Sequence, residues 1–216
     1  MKNYTSHCDQ QNVAYYICSE CYDVVKVAYQ NSFTIINGPD LENDTSKTVY
    51  FREPSLEVRC TKCDNFMFKC DANLVDVIVK LNKLEFLTVN CCEGHFNFST
   101  PVDHGISNPY ILFDTSLSNY EIGLIEMCLN DAIAKYMTKL SESIDHKELF
   151  NLLCEEKIEI VYMYQNIIRV NEKIYDILLR DYSLTNAKNI FNSIKKAFVE
   201  ICMTMAMYLE EKVSET

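Results

Sequence analysis

Two short stretches decide how this chain is read: Cys18-Ser-Glu-Cys21 and Cys60-Thr-Lys-Cys63. Two residues between cysteines fit one tight turn, which aims both sulfurs and some backbone N–H groups at a single point. Two such turns supply four thiolates at about 2.3 Å around one ion, a tetrahedral set that suits Zn2+. The spacing predicts Cys18, Cys21, Cys60 and Cys63 as metal ligands and Zn2+ as the cofactor of one structural site; iron fits the same sulfurs. The long stretch between Cys21 and Cys60 reads as a zinc ribbon with an inserted loop. Within it, Asn37-Gly-Pro-Asp-Leu-Glu-Asn-Asp-Thr-Ser46 is turn-rich and acidic. The flanking segments Asp23–Tyr29 and Thr48–Arg52 are β-prone. His7 or Cys8 offers a substitute ligand. Redox use is disfavoured because neither pair follows a strand in a βαβ pattern.

Composition sets the wider frame. The chain has 216 residues, eleven of them cysteine, and a net charge of −11. An odd cysteine count without an export signal argues for metal ligation, catalysis or core packing in a reducing compartment rather than disulfides. The opening MKNYTSHCDQQ lacks the profile of a signal peptide. No apolar run approaches the roughly 18 residues of a membrane span. The expected location is the cytoplasm. A pI near 4.8 argues against nucleic-acid or anionic-membrane binding. Lys62, Lys69, Lys80 and Lys83 are the main cations near the second cysteine pair, and they are interleaved with Asp64, Asp71, Asp76 and Glu85.

Downstream, Leu74, Val77, Ile78 and Leu81 give one apolar face of a short helix. Glu85–Asn90 alternates like a strand, Cys91-Cys-Glu-Gly-His95 reads as a turn at its end, and Pro109–Asp114 reads as a second strand. A βαβ-like or split α/β unit would gather Cys92, Glu93 and His95 at one rim, with Gly94 letting the backbone turn back. Cys92 and His95 have the spacing to chelate a second metal, with His104 and Asp103 nearest. A nucleophilic Cys–His pair, with Glu93 as acid or base, is the catalytic alternative. A purely structural turn, with the cysteines as packing, stands beside both.

From Leu124 to Thr216 there is neither Gly nor Pro, so this half is expected to be almost all helix. Ser118-Asn-Tyr-Glu121 is a capping box. Asp145-His-Lys-Glu148 offers a second start and Thr185 a third N-cap. Apolar stripes run from Ile122 to Leu140, from Leu149 through Ile160, Val161, Tyr164 and Ile168 to Leu178, and from Ile190 to Leu209. About three long helices follow, packing as a bundle within the chain or pairing with a second copy. Cys70, Cys128, Cys154 and Cys202 fall on apolar faces and read as small core residues.

Residues 58–114 resemble a family of small proteins from low-GC Gram-positive bacteria and their phages, one without an established activity. Its pattern is a CxxC knuckle, a helix ending in Leu-Asn, a Gly-Tyr-x-Thr strand, Cys-Ser/Glu-Gly-His, then Tyr-Ile-x-Phe. The matching residues are Cys60, Cys63, Leu81, Asn82, Thr88, Cys92, Glu93, Gly94, His95, Tyr110, Ile111 and Phe113. Where the family has Lys-Gly-Tyr, Leu84-Glu85-Phe86 stands, without the usual turn glycine. The same segment has a fainter likeness to the wybutosine-synthesis methyltransferase family, whose strand ends in Thr-x-x-Ser-Cys-Ser-Gly; the serines and the following Arg are absent here.

The expected fold is α+β. A zinc-ribbon-like module covers 1–70, a small α/β unit with the CCEGH turn covers 71–117, and an all-α helical bundle covers 118–216. The expected function is that of a zinc-stabilised acidic adaptor, encoded by a phage or mobile element. As the resemblance implies, it would act in the cytoplasm of a bacterial host cell and dock on a host protein, as an inhibitor of a defence system. The alternative is a nucleotide- or RNA-modifying enzyme using Cys92, Glu93 and His95. GxGxxG, Walker, GxSxG and HExxH motifs are absent.

Overall fold

The structure, a computed structural model, describes residues 13–28, 58–97, 105–143 and 147–215. The inserted acidic loop, Thr48–Arg52, His7, Cys8, Asp103, His104 and the Asp145 start of the expected second helix lie outside these residues.

Strands β1 (Val13–Cys18), β2 (Val24–Ala28) and β3 (Met67–Cys70) form an antiparallel sheet in the order β2-β1-β3. A 3-10 turn over Ala72–Leu74 then leads into helix α1 (Val75–Lys83). The expected apolar face is the one buried: Leu74, Val77, Ile78 and Leu81 are all fully enclosed. Helix α1 ends in a Schellman motif. The Phe86 N–H donates to the Leu81 carbonyl at 3.1 Å and the Glu85 N–H donates to that of Asn82 at 3.0 Å. Glu85 takes the left-handed position, φ 69°, where such motifs usually carry glycine.

Strand β4 (Thr88–Cys92) starts later than expected and runs through both cysteines. Asn82 explains the start. Its Oδ1, buried at the end of α1, accepts both the Thr88 N–H at 2.8 Å and the Thr88 hydroxyl at 2.9 Å. After β4, a two-residue turn at Glu93-Gly94 leads into β5 (His95–Asn97), which pairs with β6 (Gly105–Ser107). Strand β7 (Tyr110–Phe113) returns antiparallel beside β4. Of the expected βαβ-like or split α/β unit, the βαβ-like form is not the one observed, because β4 and β7 are antiparallel neighbours. Among the described residues, the link from β4 to β7 carries the paired strands β5 and β6 and no helix, and a link without a crossover helix joins antiparallel neighbours.

The all-α expectation for 118–216 is also corrected. Helix α2 (Asn119–Glu142) begins at the predicted capping box, with Ser118 and Glu121 bonded reciprocally. Helix α3 (Lys147–Glu156) is short, and a hairpin follows: β8 (Val161–Tyr164) and β9 (Ile167–Val170). It completes a four-stranded sheet in the order β4-β7-β9-β8. Ile160-Val-Tyr-Met-Tyr164 and Ile167-Ile-Arg-Val170 are β-branched and aromatic runs, which favour strand over helix. Lys157 (φ 53°) and Gln165 (φ 55°) take the left-handed backbone of the breaks, without glycine.

Helices α4 (Lys173–Asp181) and α5 (Leu184–Ser214) complete the chain. Ser183, not Thr185, is the N-cap of α5, accepting from the Asn186 N–H. The long stripe of α5, from Ala187 to Leu209, is buried within the chain, against α2 above all and also α1, α3 and α4. Cys128 and Cys202 are core residues as expected, whereas Cys154 is exposed. Leu149, Leu152 and Leu153 set the inner face of α3, and Cys154 falls one step beyond it. No helix of the described residues is long and apolar enough to cross a membrane.

Candidate metal centre

The two cysteine pairs form matching turns. In the first, the Cys18 N–H donates to the Asp23 carbonyl at 3.0 Å and the Tyr22 N–H to that of Cys18 at 3.1 Å. In the second, the Cys60 N–H donates to the Asn65 carbonyl at 2.8 Å and the Asp64 N–H to that of Cys60 at 2.9 Å. In each, the residue after the second cysteine is left-handed: Tyr22 at φ 60° and Asp64 at φ 59°. This repetition carries the geometry of one knuckle onto the other.

Pairing of β1 with β3 brings the knuckles face to face. The four sulfurs lie within 4.8 Å of one another. Cys18 and Cys63 are 3.4 Å apart, Cys21 and Cys60 3.3 Å, and Cys21 and Cys63 3.7 Å. A tetrahedron with metal–sulfur bonds of about 2.3 Å has edges of about 3.8 Å, so these sulfurs need only a small outward shift to hold one ion. Cys18 and Cys60 are buried and Cys63 is exposed, which leaves the ion a route in from one side.

Without a cation, the surroundings favour the thiolate at Cys60 and the neutral thiol at Cys21. The Lys62 N–H donates to the Cys60 sulfur at 3.4 Å and, as the main cause, holds that thiol down at about 7. For Cys21 the Asp23 backbone is the largest influence and lowers it. The Cys60 sulfur, burial and the other two sulfurs together outweigh it and push the thiol up to about 12. Four sulfurs this close cannot all ionise unless positive charge sits among them. Across the outer edge, Lys62 Nζ reaches Asp23 Oδ1 at 2.7 Å and ties one knuckle to the other.

Among the described residues, this end of the molecule has little core of its own. Cys18, Cys60 and Met67 form a buried cluster separate from the main one, with Tyr16, Cys21, Val25 and Val58 against it. A core of that size cannot hold two turns in place, and small modules lacking a core depend on such staples.

The structure brings Cys92 and His95 together, as the spacing suggested, and adds a residue the sequence reading did not pair with them, Asp71. One ligand atom from each lies within 4.8 Å of the others. Glu93 is turned away from them. Its carboxylate accepts Asn73 Nδ2 at 2.6 Å and Lys195 Nζ at 2.7 Å, pinning the turn to α5. The half-buried ion pair occupies the carboxylate expected to act as acid or base. It also borders a cleft between the 3-10 turn and α5, lined by Asn73, Asp76, Lys195, Lys196 and Met203 among others. Burial pushes the Cys92 thiol up to about 11, against a lowering N–H from Gly94.

Gly94 is the turn's fixed point. Its φ is 85°, and a Cβ there would lie 2.8 Å from the Ser107 carbonyl and from Pro109 Cδ. Only glycine lets the β4–β5 turn sit this close to β6 and β7. Beneath it, Cys70 and Cys91 are buried with their sulfurs 3.3 Å apart, packed into the main core. Comparison with protein-family models, curated proteins and solved structures gave no match to this chain.

Proposed function

We propose that this chain is a zinc-stapled, acidic binding protein, encoded by a phage or mobile element, that docks on a protein in the host cytoplasm, with inhibition of a defence component as the specific task. The observation that carries this reading is the convergence of Cys18, Cys21, Cys60 and Cys63 from two matching turns. Zinc is the ion assigned to it, because all-sulfur tetrahedral sites of this size suit Zn2+ and a closed set of four ligands leaves no position for chemistry. The staple has a structural task, and the surface it orders is the functional part.

The second knuckle presents a rigid contact group. Phe66 is 55% exposed, and the Arg59 guanidinium lies 4.1 Å from its ring centroid. Arg59 also donates to the Asp64 carbonyl at 2.9 Å, so the pair is fixed to the turn itself. A projecting aromatic held in one orientation loses little freedom on binding, which is what an interface anchor requires. The net charge of −11 favours a partner with a basic surface, such as the nucleic-acid groove of another protein.

The test is capture from bacterial lysate with immobilised, zinc-loaded protein. A stoichiometric partner is expected, released at about 1 M salt, where the screening length is about 3 Å. Phe66→Ala and chelated protein should both lose it. No stoichiometric partner, or equal capture by chelated protein, would overturn the reading.

A further inference from the structure

We infer that Asp71, Cys92 and His95 form a second metal site, of open coordination, for a Zn2+-class divalent cation. The three residues come from separate segments: the end of β3, the end of β4 and the start of β5. Their nitrogen, oxygen and sulfur donors fall within 4.8 Å of one another, and all three residues are only partly buried. Three protein ligands of this mixed kind suit zinc, and they leave a fourth position to water or another small ligand.

One feature sets this cluster apart from a chance gathering of polar side chains, its backbone support. The Gly94 N–H, two residues after Cys92, donates to the Cys92 sulfur at 3.3 Å. The same offset appears at the first site, where the Lys62 N–H, two residues after Cys60, donates to the Cys60 sulfur at 3.4 Å. The Glu93 N–H donates to Asp71 Oδ2 at 2.7 Å, so the turn's own amides orient two of the three ligands. The main chain of His95 is fixed as well, its N–H donating to Ser107 Oγ at 2.9 Å.

The test is zinc stoichiometry by native mass spectrometry and elemental analysis on the full chain, after loading with zinc alone and desalting. About two ions per chain are expected, one of them removed by a mild chelator, as a site with three protein ligands should be. His95→Gln and Asp71→Asn should each reduce the count to about one with the thermal transition retained, and Cys63→Ser should remove the other ion only. As a readout independent of counting, Co2+ loaded into the Cys63→Ser protein should show a thiolate charge-transfer band that adding Cys92→Ser abolishes. A wild-type count of one that Cys63→Ser abolishes and His95→Gln leaves intact would overturn this inference alone. A count of one with the reverse pattern would support it and overturn the four-cysteine site instead. Two ions retained in both His95→Gln and Asp71→Asn would also overturn it.

Discussion

Asn82 Oδ1 accepts both the main-chain N–H and the side-chain hydroxyl of Thr88, at 2.8 and 2.9 Å, with both residues fully buried. This one acceptor fixes the end of α1 to the start of β4, and β4 carries Cys92 to its place. Asn82→Ala would leave the Thr88 N–H and hydroxyl unpaired in the core. It should cost about 3 kcal/mol, since each orphaned buried group costs roughly 1–3 kcal/mol. Thr88→Val removes only the hydroxyl bond and should cost about 1 kcal/mol. Chemical denaturation measures both, and equal costs would show that the N–H bond contributes nothing.

Glu85→Gly should stabilise the protein. Glu85 holds the left-handed position of the α1 Schellman motif, where a side chain costs roughly 1–2 kcal/mol. Allowing for the greater freedom of glycine in the unfolded chain, the expected gain is about 0.5–1 kcal/mol. A loss on denaturant unfolding would mean that the Glu85 side chain makes a compensating contact.

Gly94→Ala should act in the opposite direction. The new Cβ meets backbone as well as a proline ring, so relief requires moving β6 or β7. A loss of at least about 2 kcal/mol is expected, together with weakened metal binding by Cys92 and His95. Calorimetry and zinc titration on the same sample test both parts.

The Glu93–Lys195 pair anchors the CCEGH turn to α5, with side chains only 16% and 23% exposed. Glu93→Gln should cost about 1–2 kcal/mol, because a hydrogen bond to a charged group becomes a neutral one. Catalysis through Glu93 would instead predict loss of an activity at unchanged stability.

These residues show where sequence reading succeeds. The apolar face of α1, the capping box of α2 and the convergence of the cysteine pairs were legible because each rests on short-range spacing. The Asn82, Thr88, Gly94 and Cys92 pattern was also visible, although its roles in joining α1 to β4 and closing the turn needed the fold. The hidden turns share one cause: Gly and Pro are the usual breakers, but among the described residues Tyr22, Asp64, Glu85, Lys157 and Gln165 all adopt left-handed backbone. Lys157 and Gln165 thereby hid the β8–β9 hairpin inside an apparently helical half. Asp71 was missed as a partner of Cys92 and His95 because it is joined to them through the packing of β3 against β4 and through a main-chain hydrogen bond, not through motif spacing.

The pH dependence of the knuckle should reverse with metal. In chelated protein, Cys60 lies at about 7 against an ordinary 9, so its contribution is complete above pH 9 and lost as pH falls through about 7. Cys21, raised to about 12, contributes below pH 9 and loses that contribution as pH rises toward about 12. Bound zinc holds every ligand as thiolate, so the loaded protein should not weaken on the alkaline side and should lose its metal only in acid. Thermal unfolding against pH, with and without chelator, should show the two curves diverging most above pH 9.

The central claim is that one ion sits among Cys18, Cys21, Cys60 and Cys63. Zinc-edge X-ray absorption on the His95→Gln protein tests it most directly, because that variant leaves the four-cysteine site as the place for the ion. The expected spectrum has a single shell of four sulfurs at about 2.3 Å. A first shell containing nitrogen or oxygen, or a protein that binds no zinc while remaining folded, would contradict the account.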